Sequence, residues 1–379
     1  MNQYSQILQS QVSLSEALAM LHDIGPRSTL VLVGENGIGK TYIANQLQAM
    51  LPSYPYSYLN VPDIQVGDIA VPNVDKERNV MRMAYNERSC IGDHNHKGRD
   101  DATPIILQLD EIFKGKTWQF LTIAPMVHER RFGSLFAPEG SIIFGCSNLR
   151  IENLGDTTPA HFLNRVTIVN VAKPTADEWV DNFAMKNGLD HRIIAFVKRT
   201  PSVLQSFLEV KAGNPKEDVT KINPYIYNPD SPMVVPYASP RSLHRASNIL
   251  QDAGPNVSSK GVFSLLEQTI GSACAKDLDV YLTLGAKMTD PKRVLLDPKN
   301  APLDDNPLIQ IMATYQLYNV VKDRKDAASV FTYVSRMHTD QQVLFLTTAA
   351  TGEAKKLEYF VSAEFMAMCR KYNVILRNN

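Results

Sequence analysis

The eight residues Gly34-Glu-Asn-Gly-Ile-Gly-Lys-Thr41 constrain this chain more than any others, because they satisfy the pattern G-x-x-x-x-G-K-[ST] in full. Ser28–Val33, just before them, is a short apolar run, β-branched in part and bounded by Pro26 and Gly34, as a buried strand should be. Lys40–Leu51 follows with Ile43, Leu47 and Met50 at helical spacing. A strand, a glycine-rich loop and a helix in that order bring backbone N–H groups and a positive helix end to one point. Such a loop cradles phosphates. Lys40 would reach the β- and γ-phosphates, and the Thr41 hydroxyl would ligate Mg²⁺. The expected nucleotide contacts are Gly34, Glu35, Asn36, Gly37, Ile38, Gly39, Lys40 and Thr41.

The rest of the first third reads as strands alternating with helices. Short apolar runs recur at Ile105–Leu109, Ser141–Cys146 and Thr167–Val171, which favours a parallel sheet covered on both faces. Val66–Glu77 and Gly92–Asp101 interrupt the pattern and read as surface loops. After Pro174 the strand signal fades, and Asp177–Lys186 and Arg192–Lys198 look helical. Five prolines between Asn223 and Pro240 imply a long extended connection, and Pro291–Pro307 reads as a second connector. The last helix carries Leu357, Phe360, Val361, Phe365 and Met368 along one face. The expected division is an α/β core over 1–172, a helical lid over 173–255 and a helical C-terminal extension over 256–379.

Two carboxylates and an amide carry the next signal. Ile105–Glu111 is an apolar run ending in Asp-Glu, downstream of the phosphate loop. Asp110 at a strand end suits the Mg²⁺ shell, and Glu111 is placed to orient and polarise an attacking water. Together, loop and carboxylates point to hydrolysis and not to binding alone. Asn148, after the strand Ser141–Cys146, could hold that water beside Glu111, although asparagine is also an ordinary turn residue. Arg165 precedes a strand and Arg241 opens a helix after Ser239-Pro; most arginines make surface ion pairs worth little.

These segments, with Gly145–Asn148, Phe162–Arg165 and Ser239–Arg241 in that order, resemble the AAA+ ATPases, and specifically the MoxR-like branch, over about the first 250 residues. The resemblance implies an α/β P-loop NTPase core with a parallel sheet, a helical lid and a helical extension. It also implies that Asn148 is the first sensor, Arg165 an arginine finger serving a neighbouring subunit's nucleotide, and Arg241 the second sensor. Val66–Pro72 sits where such proteins insert a loop after the second strand, and Glu129–Gly133, with Pro138 and Gly140, looks like the hairpin before the first sensor. Val66–Asn73 and Arg130–Phe136 are thus candidate effector loops, with ordinary surface structure as the plain alternative. Arg130 and Arg131 rank behind Arg165 as nucleotide contacts.

By this likeness the chain is expected to hydrolyse ATP with Mg²⁺ in a homo-oligomeric ring, taken as a hexamer, that remodels or activates a partner protein. That partner could carry a von Willebrand factor A domain on a separate polypeptide, since no D-x-S-x-S loop occurs here. A nucleic-acid motor or loader is the second reading. The 39 basic and 39 acidic residues balance to zero net charge, which weighs against it, as it does against a basic membrane-surface protein. A nucleotide-gated switch would need a defective catalytic carboxylate, whereas Glu111 is present. The four cysteines stand far apart, which suggests a reducing compartment. No apolar run approaches the roughly 18 residues of a membrane span, and the polar start lacks a signal peptide's apolar stretch. A cytoplasmic protein is expected. His94 and His96 lack an evident third ligand, Cys90 lacks a basic neighbour, and Cys146 reads as core.

Overall fold

The computed structural model describes residues 3–65, 68, 70–75, 77, 80–85, 103–132, 135–149, 160–231, 235–254 and 256–375. The Gly92–Asp101 loop, with Cys90, lies outside the described residues. The chain divides into two units: residues 1–173 with 211–215, and residues 174–210 with 216–379.

The first unit is built on a six-stranded parallel sheet. Its strands are β1 (Gln11–Val12), β2 (Leu30–Gly34), β3 (Tyr56–Asn60), β6 (Ile106–Asp110), β9 (Ile142–Asn148) and β10 (Thr167–Val171), in the order β1-β10-β2-β9-β6-β3. β2 and β9 are buried along their whole length, which explains why both read as continuous apolar runs and not as alternating ones. On one face, Leu30, Leu32, Phe144, Ile106 and Val171 pack with Ala17 and Leu21 of α2 (Leu14–Asp23) and Ile43, Ala44 and Leu47 of α3 (Ile43–Met50). Each fully buried leucine or isoleucine there contributes roughly 1.5–3 kcal/mol. On the other face, Ile112 packs against Val31 beside Gly145, where an added Cβ would lie about 3.0 Å from Ile112. The next helix, α4 (Thr117–Glu129), buries Phe120, Ile123 and Val127, and its Val127 carbonyl accepts from Thr29 Oγ1 at 2.7 Å.

The order of the strands positions the site. β2 is flanked by β9 and β10, so the chain leaves the sheet centre for the edge strand β3, returns through β6 and β9, and ends on the far side of β2. Ligands in open parallel sheets bind beyond the carboxyl ends of the strands where that order reverses. Gly34, Asp110 and Asn148 are each the last residue of their strands.

Two local expectations change. Ala70–Asp75 (β4), within the Val66–Glu77 segment read as a loop, pairs antiparallel with Val80–Tyr85 (β5); Val74 and Met81 face each other and are mostly exposed. The helix after the phosphate loop begins at Ile43, not Lys40, because the backbone first turns through bonds from Tyr42 N to Gly39 O and from Ile43 N to Lys40 O. The expected hairpin before Pro138 is present as β7 (Arg131–Phe132) and β8 (Leu135–Phe136).

The second unit is helical. One apolar cluster runs from Ala176 to Cys369 and includes Trp179, Phe196, Leu278, Tyr315, Phe345 and Phe365. Its helices start on side-chain caps, Ser239, Ser258, Asp290, Asn306, Asp323 and Ser362 among them. Pro240, Pro291 and Pro307 each occupy the first helical position after such a cap, where the missing N–H costs nothing. Pro291–Leu296 is accordingly a helix within the segment read as a connector. The single last helix is two, Ala354–Phe360 and Ala363–Lys371, and Val361 between them is exposed. The described residues of 223–239 hold no helix or strand, as the prolines require. Among the described residues, no helix is long and apolar enough to cross a membrane.

Candidate active site

The phosphate loop is held open by its glycines. Gly37 and Gly39 have φ values of 75° and 110°, a region that side-chain-bearing residues rarely adopt. Gly34 is required for space: a Cβ there would lie 2.6 Å from the Val171 carbonyl oxygen of β10 and 2.8 Å from Ile38 Cδ1. Two predicted contacts prove structural in their side chains. Ile38 is buried in the sheet core, and the buried Glu35 carboxylate lies 4.0 Å from Lys173 Nζ. Only the backbone of these two residues can serve a phosphate. Asn36 is exposed at the loop's tip.

Lys40 is buried, and its ammonium donates to Gly34 O at 2.8 Å, Glu35 O at 2.7 Å and Asn148 Oδ1 at 3.1 Å. An ammonium carries three donors, and these acceptors hold it under the loop. The Asn148 amide then continues the chain, because its Nδ2 donates to Glu111 Oε1 at 3.1 Å. Lys40 offers only donors and the Glu111 carboxylate only acceptors, so its neighbours dictate which way the amide faces. Register explains the meeting, since Asn148 is the Cα partner of Gly34 across β2 and β9.

Glu111 occupies the left-handed region at φ 50° and ψ 37°, which costs a non-glycine residue on the order of 1–2 kcal/mol. That kink ends β6 and starts the 3-10 turn Ile112–Lys114. Its Oε1 also pairs with Lys114 Nζ at 2.9 Å. Its Oε2 is buried and has no hydrogen-bond partner among the described residues. Strain and an orphaned acceptor on one residue mark a group kept for something other than stability.

One residue back, Asp110 meets the loop. Its Oδ2 accepts from Thr41 Oγ1 at 3.4 Å and from Tyr58 Oη at 3.0 Å, while its Oδ1 accepts from the Glu111 N–H at 3.1 Å. A hydroxyl and a carboxylate are the hard oxygen donors that suit Mg²⁺, which keeps several waters and is completed by substrate phosphates. Among the described residues, no group of three or more His, Cys, Asp or Glu side chains gathers. The residues fit a metal that arrives with its nucleotide.

The remaining predicted residues stand apart from this cluster. Arg165 is exposed just before β10, and among the described residues its side chain makes no hydrogen bond or ion pair. Arg241 is exposed in the first turn of the helix Pro240–Asp252, in the second unit. Arg130 is structural. Its guanidinium is half-buried and donates to the carbonyls of Ser141 and Gly25, tying β9 to the turn before β2. Arg131 pairs with Glu129 at 2.7 Å. Cys146 lies in the core as expected, and burial pushes its thiol far above the ordinary range.

Tyr58, Lys114 and Lys173 belong to the site and have no motif to announce them. The alternation Tyr56-Ser-Tyr-Leu-Asn60 is the one usable signal, since it sets two phenols and an amide on one face of β3. Burial, followed by the Asp110 carboxylate, raises the Tyr58 hydroxyl far above its usual pKa and keeps it a donor.

The sheet, its loop and the helices around it define an α/β P-loop NTPase fold with a helical extension. No protein-family model matches the chain, and no curated protein matches it. Among solved structures, it is similar to a candidate ATPase from Cytophaga hutchinsonii at 11% identity and a TM-score of 0.30, covering 96% of this chain and 82% of that one. It is also similar to NtrX from Brucella abortus, solved in complex with ADP, at 14% identity and a TM-score of 0.33, covering 90% and 68%. Likeness this distant decides nothing by itself; the class rests on sheet order and loop.

Proposed function

We propose that the chain is an AAA+ ATP hydrolase of the MoxR-like kind, working in a homo-oligomeric ring on a partner protein. The observation that carries hydrolysis is the unpartnered Oε2 of Glu111, on a strained carboxylate joined through Asn148 to Lys40. Lys40 and the loop N–H groups would bind the phosphates, and Thr41 and Asp110 would hold Mg²⁺, which would supply neutralisation of phosphate charge. Glu111 accepts a proton from the attacking water through Oε2, and Asn148 fixes the carboxylate by its other oxygen. Catalysis of this kind is mostly positioning and electrostatic stabilisation.

The ring rests on Arg165. Its exposure suits a cation offered to a neighbour's nucleotide. Within the described residues its charge reaches as far as the Glu129 carboxylate, whose pKa Arg131 and then Arg165 help to lower, with no hydrogen bond or ion pair to hold it. Arg130, spent on two carbonyls, is a poor substitute. Arg241 is kept as the second sensor, and Val66–Asn73 and Arg130–Phe136, the latter carrying the exposed Phe136, as effector loops. A mixing experiment tests the shared site. Glu111→Gln subunits, with Arg165 intact, are combined with Arg165→Ala subunits, whose Glu111 is intact. Recovered ATPase activity supports the reading. No recovery from variants shown to co-assemble removes Arg165 from the role.

A further inference from the structure

The Asp110 carboxylate receives three donors, and the two shorter bonds do not come from the phosphate loop. Thr41 Oγ1 is the farthest at 3.4 Å, against 3.0 Å for Tyr58 Oη and 3.1 Å for the Glu111 N–H. The N–H fixes Oδ1. The phenol fixes Oδ2, the oxygen that also faces Thr41. Packing does not demand a tyrosine here, because Tyr58 is 44% exposed. A comparable bond recurs one rung along the strand, where Tyr56 Oη donates to Gln108 Oε1 at 2.8 Å. The register pairs Tyr56 with Ile106 and Tyr58 with Gln108, so each phenol reaches diagonally to the residue two positions further along β6. Of the two rungs, Tyr58 ends on the metal carboxylate and Tyr56 ends on a buried amide.

We propose that Tyr58 is a positioning residue for Mg²⁺, its hydroxyl setting the orientation of Asp110 so that Oδ2 faces Thr41. This rests on reading Thr41 and Asp110 as the metal-holding pair. An ionised carboxylate offers about four lone-pair directions, and three donors leave roughly one for the metal or a water on it. Without the phenol, Oδ2 would keep only the long Thr41 bond, and the carboxylate could swing about the Oδ1 that the Glu111 N–H holds. Partners of this second kind tune metal affinity by about 10- to 100-fold.

The test reads metal binding directly. Full-length protein with ADP is titrated with Mn²⁺, and free Mn²⁺ is followed by its electron paramagnetic resonance signal. Tyr58→Phe, which keeps the ring, is expected to weaken nucleotide-dependent Mn²⁺ binding by about 10-fold or more. Tyr56→Phe, which removes the neighbouring rung, should stay within about twofold of wild type. ADP affinity in the presence of EDTA should be unchanged in both, showing that the loop is intact. A Tyr58→Phe protein with wild-type Mn²⁺ affinity overturns the proposal while Asp110→Asn still abolishes binding. If Asp110→Asn also binds Mn²⁺ normally, the metal pair itself is wrong and the proposal falls with it.

Discussion

The Asn148 amide donates to Glu111 Oε1 at 3.1 Å, and through this one bond the residue that ends β9 controls the carboxylate that follows β6. Because Oε1 is also held by Lys114, the other oxygen is left to act. Asn148→Ala should therefore keep ATP affinity within a few-fold of wild type. It should lower kcat by about 100-fold, the usual loss of one preorganised polar partner. Comparing KM and kcat in the purified variant checks the split.

Lys40→Ala should act on binding. Its three bonds show that the ammonium sits directly under the loop, so its loss removes the charge that meets the phosphates. Charge-assisted hydrogen bonds of about 1.5–3 kcal/mol predict a 10- to 100-fold loss of affinity. Titration with a fluorescent ATP analogue measures it, and normal affinity would remove Lys40 from the site.

Arg130 and Arg165 should separate stability from turnover. Arg130→Ala strips the carbonyls of Ser141 and Gly25 of a donor in a half-buried setting, at about 1–3 kcal/mol. Arg165 is exposed, so Arg165→Ala should stay within about 0.5 kcal/mol of wild type in urea unfolding. It should nonetheless hydrolyse ATP poorly.

Acid should reach the second unit through Asp190. Burial alone would raise its pKa, but the Arg192 guanidinium and backbone N–H, with His191, outweigh burial and hold it below its ordinary 3.8. A depressed carboxylate contributes stability that is present above the unfolded pKa and lost as pH falls through the folded one. Asp190→Asn should thus be less stable than wild type at neutral pH, and the gap should narrow below about pH 3.8 as the wild-type carboxylate protonates. Urea unfolding at pH 7 and at pH 3 tests the sign.

Much of the site was legible because its residues lie at strand ends beside a glycine loop. Gly34, Asp110 and Asn148 each close an apolar run, and an apolar run is what a buried parallel strand writes into sequence. Tyr58 was not legible, because its role depends on the register between β3 and β6, which no local pattern carries. Arg130 read as part of an effector loop and a secondary nucleotide contact, and it is a clamp whose acceptors lie 11 and 105 residues away.

Glu111 serves hydrolysis at a loop that should bind nucleotide without it. Glu111→Gln keeps the side chain's size and an acceptor oxygen but cannot take a proton from water. Pre-steady-state mixing with Mg²⁺-ATP should show binding close to wild type and a hydrolysis rate at least about 100-fold lower. Hydrolysis at the wild-type rate in this variant would remove Glu111 from the catalytic role.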